Sequence, residues 1–263
     1  MLKYKGNLKD FPYFFMTRIV ILAAGNGTRM NASLPKVLVP LKGRPMIQYL
    51  LDSIKLSGLD PRPLIIVSPN NEALIRRELS EYDLDYVLQD KQLGTGHAVS
   101  CARDFLGGEA KNVLVLYGDH PFFTAASLKK ISSLEPAPLA ILTTQLPDFN
   151  DWRHNFYHWG RIIRAADNQI VKIVEFKDAS DEEKLISEVN PAVMCFNRDW
   201  LLKHLPTLQN NNRSGEYYLT DLVQIAFDEG RLVASIGVAP YEAMGINSLT
   251  ELKISENLVD TGL

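Results

Sequence analysis

The stretch LAAGNGTRMNASLPKVL (residues 22–38) combines two glycines with fixed positive charge directly after an apolar run. Gly25 and Gly27 allow positive φ values and let an anion approach the backbone N–H groups closely. Arg29 and Lys36 bring cations to the same loop, so polyphosphate binding is the chemistry that the loop suits best. Neither the GxxxxGK[ST] pattern of P-loops nor the GxGxxG spacing of dinucleotide folds occurs here. On this stretch alone, an ordinary turn after a strand explains the glycines equally well.

Apolar runs with strand-like and helix-like spacing alternate along the first half of the chain. The run RIVILAA (18–24) is rich in β-branched residues, as in strands that are buried on both faces of a sheet. Further strands are predicted at 63–69, 85–90 and 112–121, and helices at 46–58, 71–82, 94–106 and from 127 onward. This alternation predicts βαβ units, and hence a doubly wound, Rossmann-like α/β fold with a mostly parallel sheet.

The pattern changes at about residue 139. Strand-like segments are predicted at 139–146, 160–176 and 191–197, with a hairpin turn at Asp167 and Asn168, followed by helices at 198–208 and 217–230 and a strand at 231–238. We therefore divide the chain into a nucleotide half, about 16–138, and a half of mixed strands, about 139–255, that shapes the pocket of a second substrate. No linker separates two domains, so residues 16–263 are interpreted as one domain.

The composition excludes several classes of protein. The 263 residues are 46% hydrophobic and carry a formal net charge of -3, with no basic run long enough to follow a nucleic acid backbone. No apolar run approaches the length of about 20 residues that spans a bilayer. Cys101 and Cys195 are too few for a disulfide framework and indicate a reducing compartment. Because Met16 precedes the first strand, we interpret residues 1–15 as a dispensable leader. We expect a cytoplasmic protein without nucleic acid or membrane partners.

The loop at 22–38 resembles the signature L-x-x-G-x-G-T-R-M-x(4)-P-K of sugar-1-phosphate nucleotidylyltransferases. More narrowly, the chain is similar to the uridylyltransferase part of the bacterial N-acetylglucosamine-1-phosphate uridylyltransferases. The likeness extends over four further segments: LQDKQLGTGHAV (88–99), YGDHP (117–121), IVEFKDAS (173–180) and SGEYYLTD (214–221). They occur in the family's order and at similar spacings. The resemblance implies the nucleotidyltransferase type of α/β fold, with the sugar bound in the half of mixed strands.

The resemblance implies UTP and a sugar 1-phosphate as substrates. The nucleotide is expected to contact Ala23, Ala24, Gly25, Gly27, Thr28, Gln89, Gly94 and Thr95. Among these, the Gln89 amide is expected to match the paired carbonyl and N–H edge of uracil. Arg29 and Lys36 are the expected catalytic residues, because they would neutralise the triphosphate and the departing pyrophosphate.

The same resemblance implies a magnesium ion and a sugar site. Asp119, at the end of a predicted strand, and Asn247 are the expected Mg²⁺ ligands. The expected sugar-binding residues are Gly160, Glu175, Asn190 and Glu216. The implied reaction is attack of the sugar phosphate on the α-phosphorus of UTP, giving pyrophosphate and UDP-N-acetylglucosamine, a cell envelope precursor. The attacking phosphate is already ionised, so no general base is needed.

Structural alternatives stay open at individual residues. On local sequence, Asp119 equally suits a turn after a strand, and Glu216 equally suits the first turn of a helix. Glu175 follows a strand-like segment and also suits a solvated surface. His97 lies at a predicted helix start, where a histidine is more often a packing or capping residue than a base.

Four positions depart from the family pattern. Pro191 and Ala192 follow Asn190 where threonine and glycine are expected, which removes a hydroxyl and fixes a backbone angle. His120 stands where a small apolar residue is usual, and the bulky Trp159 adjoins the expected sugar site. The sequence therefore supports the use of UTP better than the identity of the sugar, and glucose 1-phosphate is an alternative acceptor.

Two other classes of function compete with this interpretation. A non-catalytic sensor of UDP-sugars would have no need of both the cations and the metal ligands. A dinucleotide-dependent oxidoreductase would need a different glycine spacing. Bifunctional family members also carry a hexapeptide-repeat acetyltransferase domain, and no such repeat occurs in these 263 residues, so acetyl transfer is not expected. Because that domain supplies trimer contacts in the family, the oligomeric state stays open.

Overall fold

A computed structural model describes residues 17–25, 34–133 and 137–260 of the chain. The leader prediction for residues 1–15 and the roles expected of Gly27, Thr28 and Arg29 concern residues outside these ranges. Within the described ranges, the predicted alternation of strands and helices is confirmed.

The described part of the chain contains twelve strands. They are β1 (Thr17–Leu22), β2 (Pro40–Leu41), β3 (Arg44–Pro45), β4 (Leu64–Val67), β5 (Asp85–Leu88), β6 (Asn112–Tyr117), β7 (Leu139–Gln145), β8 (Arg161–Arg164), β9 (Ile170–Val174), β10 (Glu188–Val189), β11 (Met194–Asn197) and β12 (Val233–Gly237). β2 and β3 pair with each other, and the other ten form one sheet. In it, β5, β4, β1 and β6 are parallel neighbours in that order. The parallel sheet predicted for the nucleotide half is confirmed.

Helices cover both faces of this sheet. They are α1 (Met46–Ser57), α2 (Glu72–Glu78), α3 (Thr95–Cys101), α4 (Ala125–Ser132), α5 (Arg198–His204), α6 (Asp221–Asp228), α7 (Pro240–Ala243) and α8 (Leu249–Asp260). Alternate residues of β1 face opposite cores: Val20 packs with residues of α3, α5 and α6, whereas Ile19 and Ile21 pack with residues of α1, α2 and α4. The doubly wound arrangement is therefore confirmed. No helix in the described ranges is long and apolar enough to cross a membrane.

The parallel strands end together at one edge of the sheet. Leu22 pairs with Ile66 on β4 and with Tyr117 on β6. Backbone hydrogen bonds continue past the strand ends, because the N–H of Ala23 donates to the carbonyl oxygen of Ile66 at 2.9 Å and the N–H of Gly118 donates to that of Leu22 at 3.0 Å. The backbone directly after β1 and directly after β6 therefore lies side by side at the carboxyl edge, where open α/β sheets bind their ligands.

The second half of the chain extends the same sheet. β11 lies antiparallel between β6 and β7, and β12 runs parallel to β7. β10, β8 and β9 add an antiparallel segment. The β8–β9 hairpin turns through Asn168, whose φ is 68°, so the predicted turn is confirmed. The mixed strands predicted for this half are also confirmed, and they share one sheet with the nucleotide half.

Candidate active site

A cavity of about 260 Å³ opens at the carboxyl edge of the sheet. Its walls include nine residues for which a site role was expected from the sequence: Ala23, Ala24, Gly25, Lys36, Gln89, Gly94, Thr95, Asp119 and Glu216. They come from the loops after β1, β5 and β6, from the start of α3 and from the loop before α6. Segments that are far apart in the sequence thus meet at one cavity.

Lys36 begins a short 3₁₀ turn, Lys36–Leu38, that follows Pro35. The other two residues of the turn, Val37 and Leu38, are buried, and the N–H of Leu38 donates to the carbonyl oxygen of Pro35 at 2.8 Å. From this anchored turn, the Lys36 ammonium group contacts both the Asp119 carboxylate and the Oδ1 atom of Asn247. The structure therefore brings together one of the two expected catalytic cations and both expected metal ligands.

Asp119 stays ionised although its side chain is only 14% exposed. Burial opposes ionisation, but the positive charge of Lys36 and the hydrogen bond from it outweigh that effect and hold the pKa of Asp119 below its usual value. A negatively charged oxygen is therefore available at neutral pH.

Asn247 reaches the same point from the loop before α8. The N–H of Ile246 donates to the carbonyl oxygen of Asp119 at 2.9 Å, and the N–H of Asn247 donates to the carboxylate of Glu251 on α8. A carboxylate and an amide oxygen that converge in this way suit Mg²⁺, which keeps water or phosphate oxygens as its other ligands. Within the described ranges, no cluster of three or more histidine, cysteine or acidic residues could hold a metal ion.

Gln89 and Gly94 meet at another wall of the cavity. Gln89 is 4% exposed, and its Nε2 atom lies 3.1 Å from the carbonyl oxygen of Gly94 and 3.1 Å from Nδ1 of His97. Gly94 has a φ of 107°, and a Cβ atom there would lie 2.6 Å from the carbonyl oxygen of Tyr217. This position therefore requires glycine. From the sequence, His97 was expected to be a packing or capping residue rather than a base, and its contact with Gln89 was not predicted.

Gly160, Glu175 and Asn190 form a second group, outside the walls of the cavity. The N–H of Asn190 donates to the carbonyl oxygen of Gly160 at 2.9 Å, and a Cβ atom on Gly160 would lie 3.5 Å from Oε2 of Glu175. Oε1 of Glu175 accepts a hydrogen bond from the Thr220 hydroxyl at 3.0 Å. Burial raises the pKa of Glu175, and the negative charges of Asp221, Asp178 and Glu216 add to that effect, while the hydrogen bond from Thr220 opposes it. Three of the residues expected to bind the sugar, Gly160, Glu175 and Asn190, thus lie together, whereas Glu216 lines the cavity.

The unusual pair after Asn190 forms a strained turn. Ala192 has a φ of 62°, in the left-handed region that favours glycine. The Oδ1 atom of Asn190 accepts a hydrogen bond from the N–H of Ala192 at 3.0 Å and closes the turn over the buried Pro191. Asn190 therefore supports this backbone with its side-chain oxygen.

His120 and Trp159, the other two departures from the family pattern, belong to one aromatic cluster. The buried ring of His120 stacks on Phe123 at 5.9 Å between centroids and lies 5.2 Å from Trp159. Nδ1 donates to the carbonyl oxygen of Ala243 at 3.0 Å. A Cβ atom on Gly245 would lie 2.6 Å from Nε2. His120 therefore holds the two loops that carry the expected metal ligands at a fixed separation.

Two further residues of the site, Tyr117 and Thr220, were not predicted as site residues from the sequence. Tyr117 lines the cavity at the end of β6, and burial raises the pKa of its phenol above the usual value. Thr220 is 3% exposed and donates to Glu175. Both lie within the segments YGDHP and SGEYYLTD, so the motifs contained them without indicating what they contact.

Comparison with known proteins finds one matching family model and relatives that share one name. Residues 19–217 match the family model of the MobA-like NTP transferase domain. The chain is 38% identical over 241 residues to the "Bifunctional protein GlmU" of Caldicellulosiruptor saccharolyticus, covering 90% of this chain and 50% of that protein. It is 42% identical over 216 residues to the protein of the same name from Cellvibrio japonicus, covering 82% and 46%. The chain thus spans about half the length of the curated relatives it matches.

The fold also has a match among solved structures. A Bacillus anthracis protein assigned as a glucose-1-phosphate thymidylyltransferase, crystallised with sucrose, superposes with a TM-score of 0.72. The match covers 92% of this chain and 94% of that one, at 18% sequence identity. At this level of identity the match concerns the fold alone, and it agrees with the predicted α/β architecture.

Proposed function

The chain belongs to the family of MobA-like NTP transferase domains, and from this premise we propose that it is a sugar-1-phosphate uridylyltransferase. The reaction is UTP plus N-acetylglucosamine 1-phosphate to UDP-N-acetylglucosamine plus pyrophosphate. The single observation that carries the proposal is the convergence of Lys36, Asp119 and Asn247 at the nucleotide cavity. The motifs shared with sugar-1-phosphate nucleotidylyltransferases and the likeness to proteins called GlmU support the choice of substrates.

The proposed chemistry is an in-line displacement at phosphorus. An oxygen of the sugar phosphate forms a bond to the α-phosphorus of UTP, and the bond from that phosphorus to the bridging oxygen of the pyrophosphate breaks. The pyrophosphate leaves with the electron pair. The nucleophile is ionised at neutral pH, so the protein contributes position and charge rather than a base.

Lys36 neutralises negative charge as the pyrophosphate departs. Its ammonium group lies at the cavity at the start of an anchored turn, so the positive charge is already close to where the pyrophosphate would depart. We assign the same task to Arg29, from its place in the glycine-rich loop. The backbone of Ala23, Ala24 and Gly25 lies along the cavity and is proposed to contact the nucleotide, with Gly27, Thr28, Gln89, Gly94 and Thr95.

Nucleotidyltransferases of this kind generally use a divalent metal ion, and we propose Mg²⁺ here. Asp119 and Asn247 would hold it, because both are oxygen donors that reach one point. When bound, the ion shields the repulsion between the phosphates of the two substrates. The sugar is proposed to bind Gly160, Glu175, Asn190 and Glu216. We also infer a cytoplasmic location, which UTP as a substrate and the free thiols of Cys101 and Cys195 support.

A second acceptor remains a candidate because of the turn after Asn190. Pro191 has neither a hydroxyl nor an N–H to offer, and Ala192 adopts a backbone angle that favours glycine. A turn of this shape offers the acetamido group fewer hydrogen bonds than threonine and glycine would. Glucose 1-phosphate, which lacks that group, is therefore the alternative acceptor.

The test is pyrophosphate release from the purified protein with Mg²⁺ and UTP. Separate reactions contain N-acetylglucosamine 1-phosphate, glucose 1-phosphate or no acceptor. We expect release that depends chiefly on the acetylated sugar. Release with glucose 1-phosphate alone would keep the chemistry and replace the acceptor. UTP binding without release for any sugar phosphate would contradict the proposal and favour a non-catalytic sensor.

A further inference from the structure

The amide nitrogen of Gln89 has two neighbours that accept hydrogen bonds. It lies 3.1 Å from the carbonyl oxygen of Gly94 and 3.1 Å from Nδ1 of His97. A primary amide has two N–H donors, so both are used within the protein. The group that Gln89 has left for a ligand in the cavity is its carbonyl oxygen Oε1.

The direction of both hydrogen bonds is determined by chemistry. A backbone carbonyl oxygen can only accept, so the nitrogen of the amide must face Gly94. Nδ1 of His97 then accepts the second N–H, and the proton of the neutral imidazole is on Nε2. Nε2 lies 4.0 Å from Sγ of Cys101, a weak acceptor. His97 thus opposes rotation of the Gln89 amide, because the flipped amide would place its oxygen against two acceptors.

We propose that His97 is a positioning residue for base selection, which holds the Gln89 carbonyl oxygen toward the base. Uracil presents an N–H donor at N3 and pairs with this oxygen. Cytosine presents an unprotonated N3 acceptor and meets it with repulsion. The inference rests on the proposed function for the presence of a pyrimidine nucleotide in the cavity. From the sequence, the Gln89 amide was expected to pair with both a carbonyl and an N–H of uracil. Because both amide N–H groups of Gln89 are used within the protein, only the pairing of its oxygen with the uracil N–H remains.

The burial of Gln89 stabilises the orientation of its side-chain amide. The residue is 4% exposed, so water has little access to replace a lost partner. Its backbone is fixed as well, since the N–H of Gln89 donates to the carbonyl oxygen of Val67 at 2.8 Å. Rotation of the amide would leave both N–H groups without their present acceptors. The neighbouring helix α3 therefore contributes to nucleotide choice through His97, which need not contact the nucleotide itself.

The experiment is equilibrium binding of UTP and of CTP, with Mg²⁺ and without sugar phosphate, measured by titration calorimetry. We expect the unaltered protein to prefer UTP. His97→Ala and His97→Phe both remove the acceptor, and Phe keeps most of the ring volume. Each should reduce the preference for UTP by about tenfold, the ratio that corresponds to about one hydrogen bond. His97→Asn should retain the preference, because Oδ1 of Asn can accept at the position of Nδ1.

A matched control alters the other neighbour of the imidazole. Cys101→Ala removes the sulfur near His97 without changing the Gln89 contact, so it should keep the preference for UTP. Unchanged preference in both the Ala and Phe variants would overturn the inference, as would equal loss in the Asn variant. So would an unaltered protein that binds UTP and CTP alike, even if it transfers uridylyl groups. A protein that prefers UTP through His97 but releases no pyrophosphate would support the inference and refute the transferase proposal.

Discussion

The ammonium group of Lys36 forms a salt bridge with the carboxylate of Asp119, although 83 positions separate the two residues in the chain. Their side chains are 15% and 14% exposed, so water screens the pair only in part. In the proposed reaction the partners have separate tasks: Lys36 neutralises the leaving group, and Asp119 holds the metal ion. Removing either charge should therefore impair turnover in a different way.

Asp119→Asn should lower the rate of pyrophosphate release at least about a hundredfold, because the uncharged amide binds a divalent ion weakly. The amide keeps the shape of the side chain, so the fold should persist, as judged by circular dichroism. Asp148→Asn is the control, since Asp148 pairs with Arg153 and does not line the cavity. Near-normal release by the Asp119 variant would remove the carboxylate from the mechanism.

Lys36→Met should also lower pyrophosphate release about a hundredfold, because a positive charge near the leaving group is lost. Unlike Asp119→Asn, the Lys36→Met change should not weaken the binding of a divalent metal ion. The lysine competes for the oxygens of Asp119 and Asn247, so Mn²⁺ binding measured by electron paramagnetic resonance should become no weaker. Weaker Mn²⁺ binding in this variant would mean that Lys36 supports the metal site rather than the departing pyrophosphate.

Gly245→Ala should destabilise the protein by about 1–3 kcal/mol, the usual cost of overpacking a buried site. The added Cβ would lie 2.6 Å from Nε2 of His120, and Phe123 and Trp159 leave that ring little room to move. Urea denaturation provides the measurement. In a His120→Ala background the cost should be clearly smaller, which a double-mutant cycle would detect.

Gly237→Ala is the matched control for that cycle, since a Cβ there would meet nothing within 4 Å. Its effect should be below about 0.5 kcal/mol. If Gly245→Ala lowers the free energy of unfolding equally in the wild-type and His120→Ala backgrounds, the added Cβ does not clash with the His120 ring.

The elements with strong local patterns were predictable from the sequence. The buried runs of β1, β4 and β6 and the apolar spacing of α1 predicted these elements correctly, and Gly58, with a φ of 64°, caps the carboxyl end of α1. α8 was not predicted, because it buries only Ser255 fully and has a weak apolar pattern. β10 has two residues and exists only through pairing with β7 and β8.

The identities of the site residues were predictable, but their contacts were not. Motif resemblance pointed to Lys36 and Asn247, which are 211 positions apart, without indicating that they touch. Their meeting depends on how the loop before α8 packs onto the end of β6. Similarly, the contact between Gln89 and His97 depends on how α3 begins relative to β5, which no local pattern encodes.

Ala192→Gly should stabilise the protein by about 0.5–1 kcal/mol in thermal or urea denaturation. Ala192 has a φ of 62°, and a left-handed backbone costs a residue with a Cβ atom about 1–2 kcal/mol. The greater freedom of glycine in the unfolded chain offsets part of the gain. Ala126→Gly, at an exposed position of helix α4, should instead destabilise by about 1 kcal/mol. Destabilisation by both changes would contradict the inferred strain at Ala192.

Asp221→Asn should stabilise the protein at neutral pH and not in acid. Burial, reinforced by the charge of Asp178, raises the pKa of Asp221 from 3.8 to about 6 in the folded protein. The folded state therefore binds this proton more tightly than the unfolded state does, and wild-type stability is lost as pH rises through that interval. The stability of the variant relative to wild type should thus increase from pH 4 to pH 7, as measured by urea midpoints. Asp181→Asn should show no such gain, because its hydrogen bond and ion pair with Lys184 lower the pKa of Asp181 instead. A constant difference between Asp221→Asn and wild type across this range would refute the raised pKa.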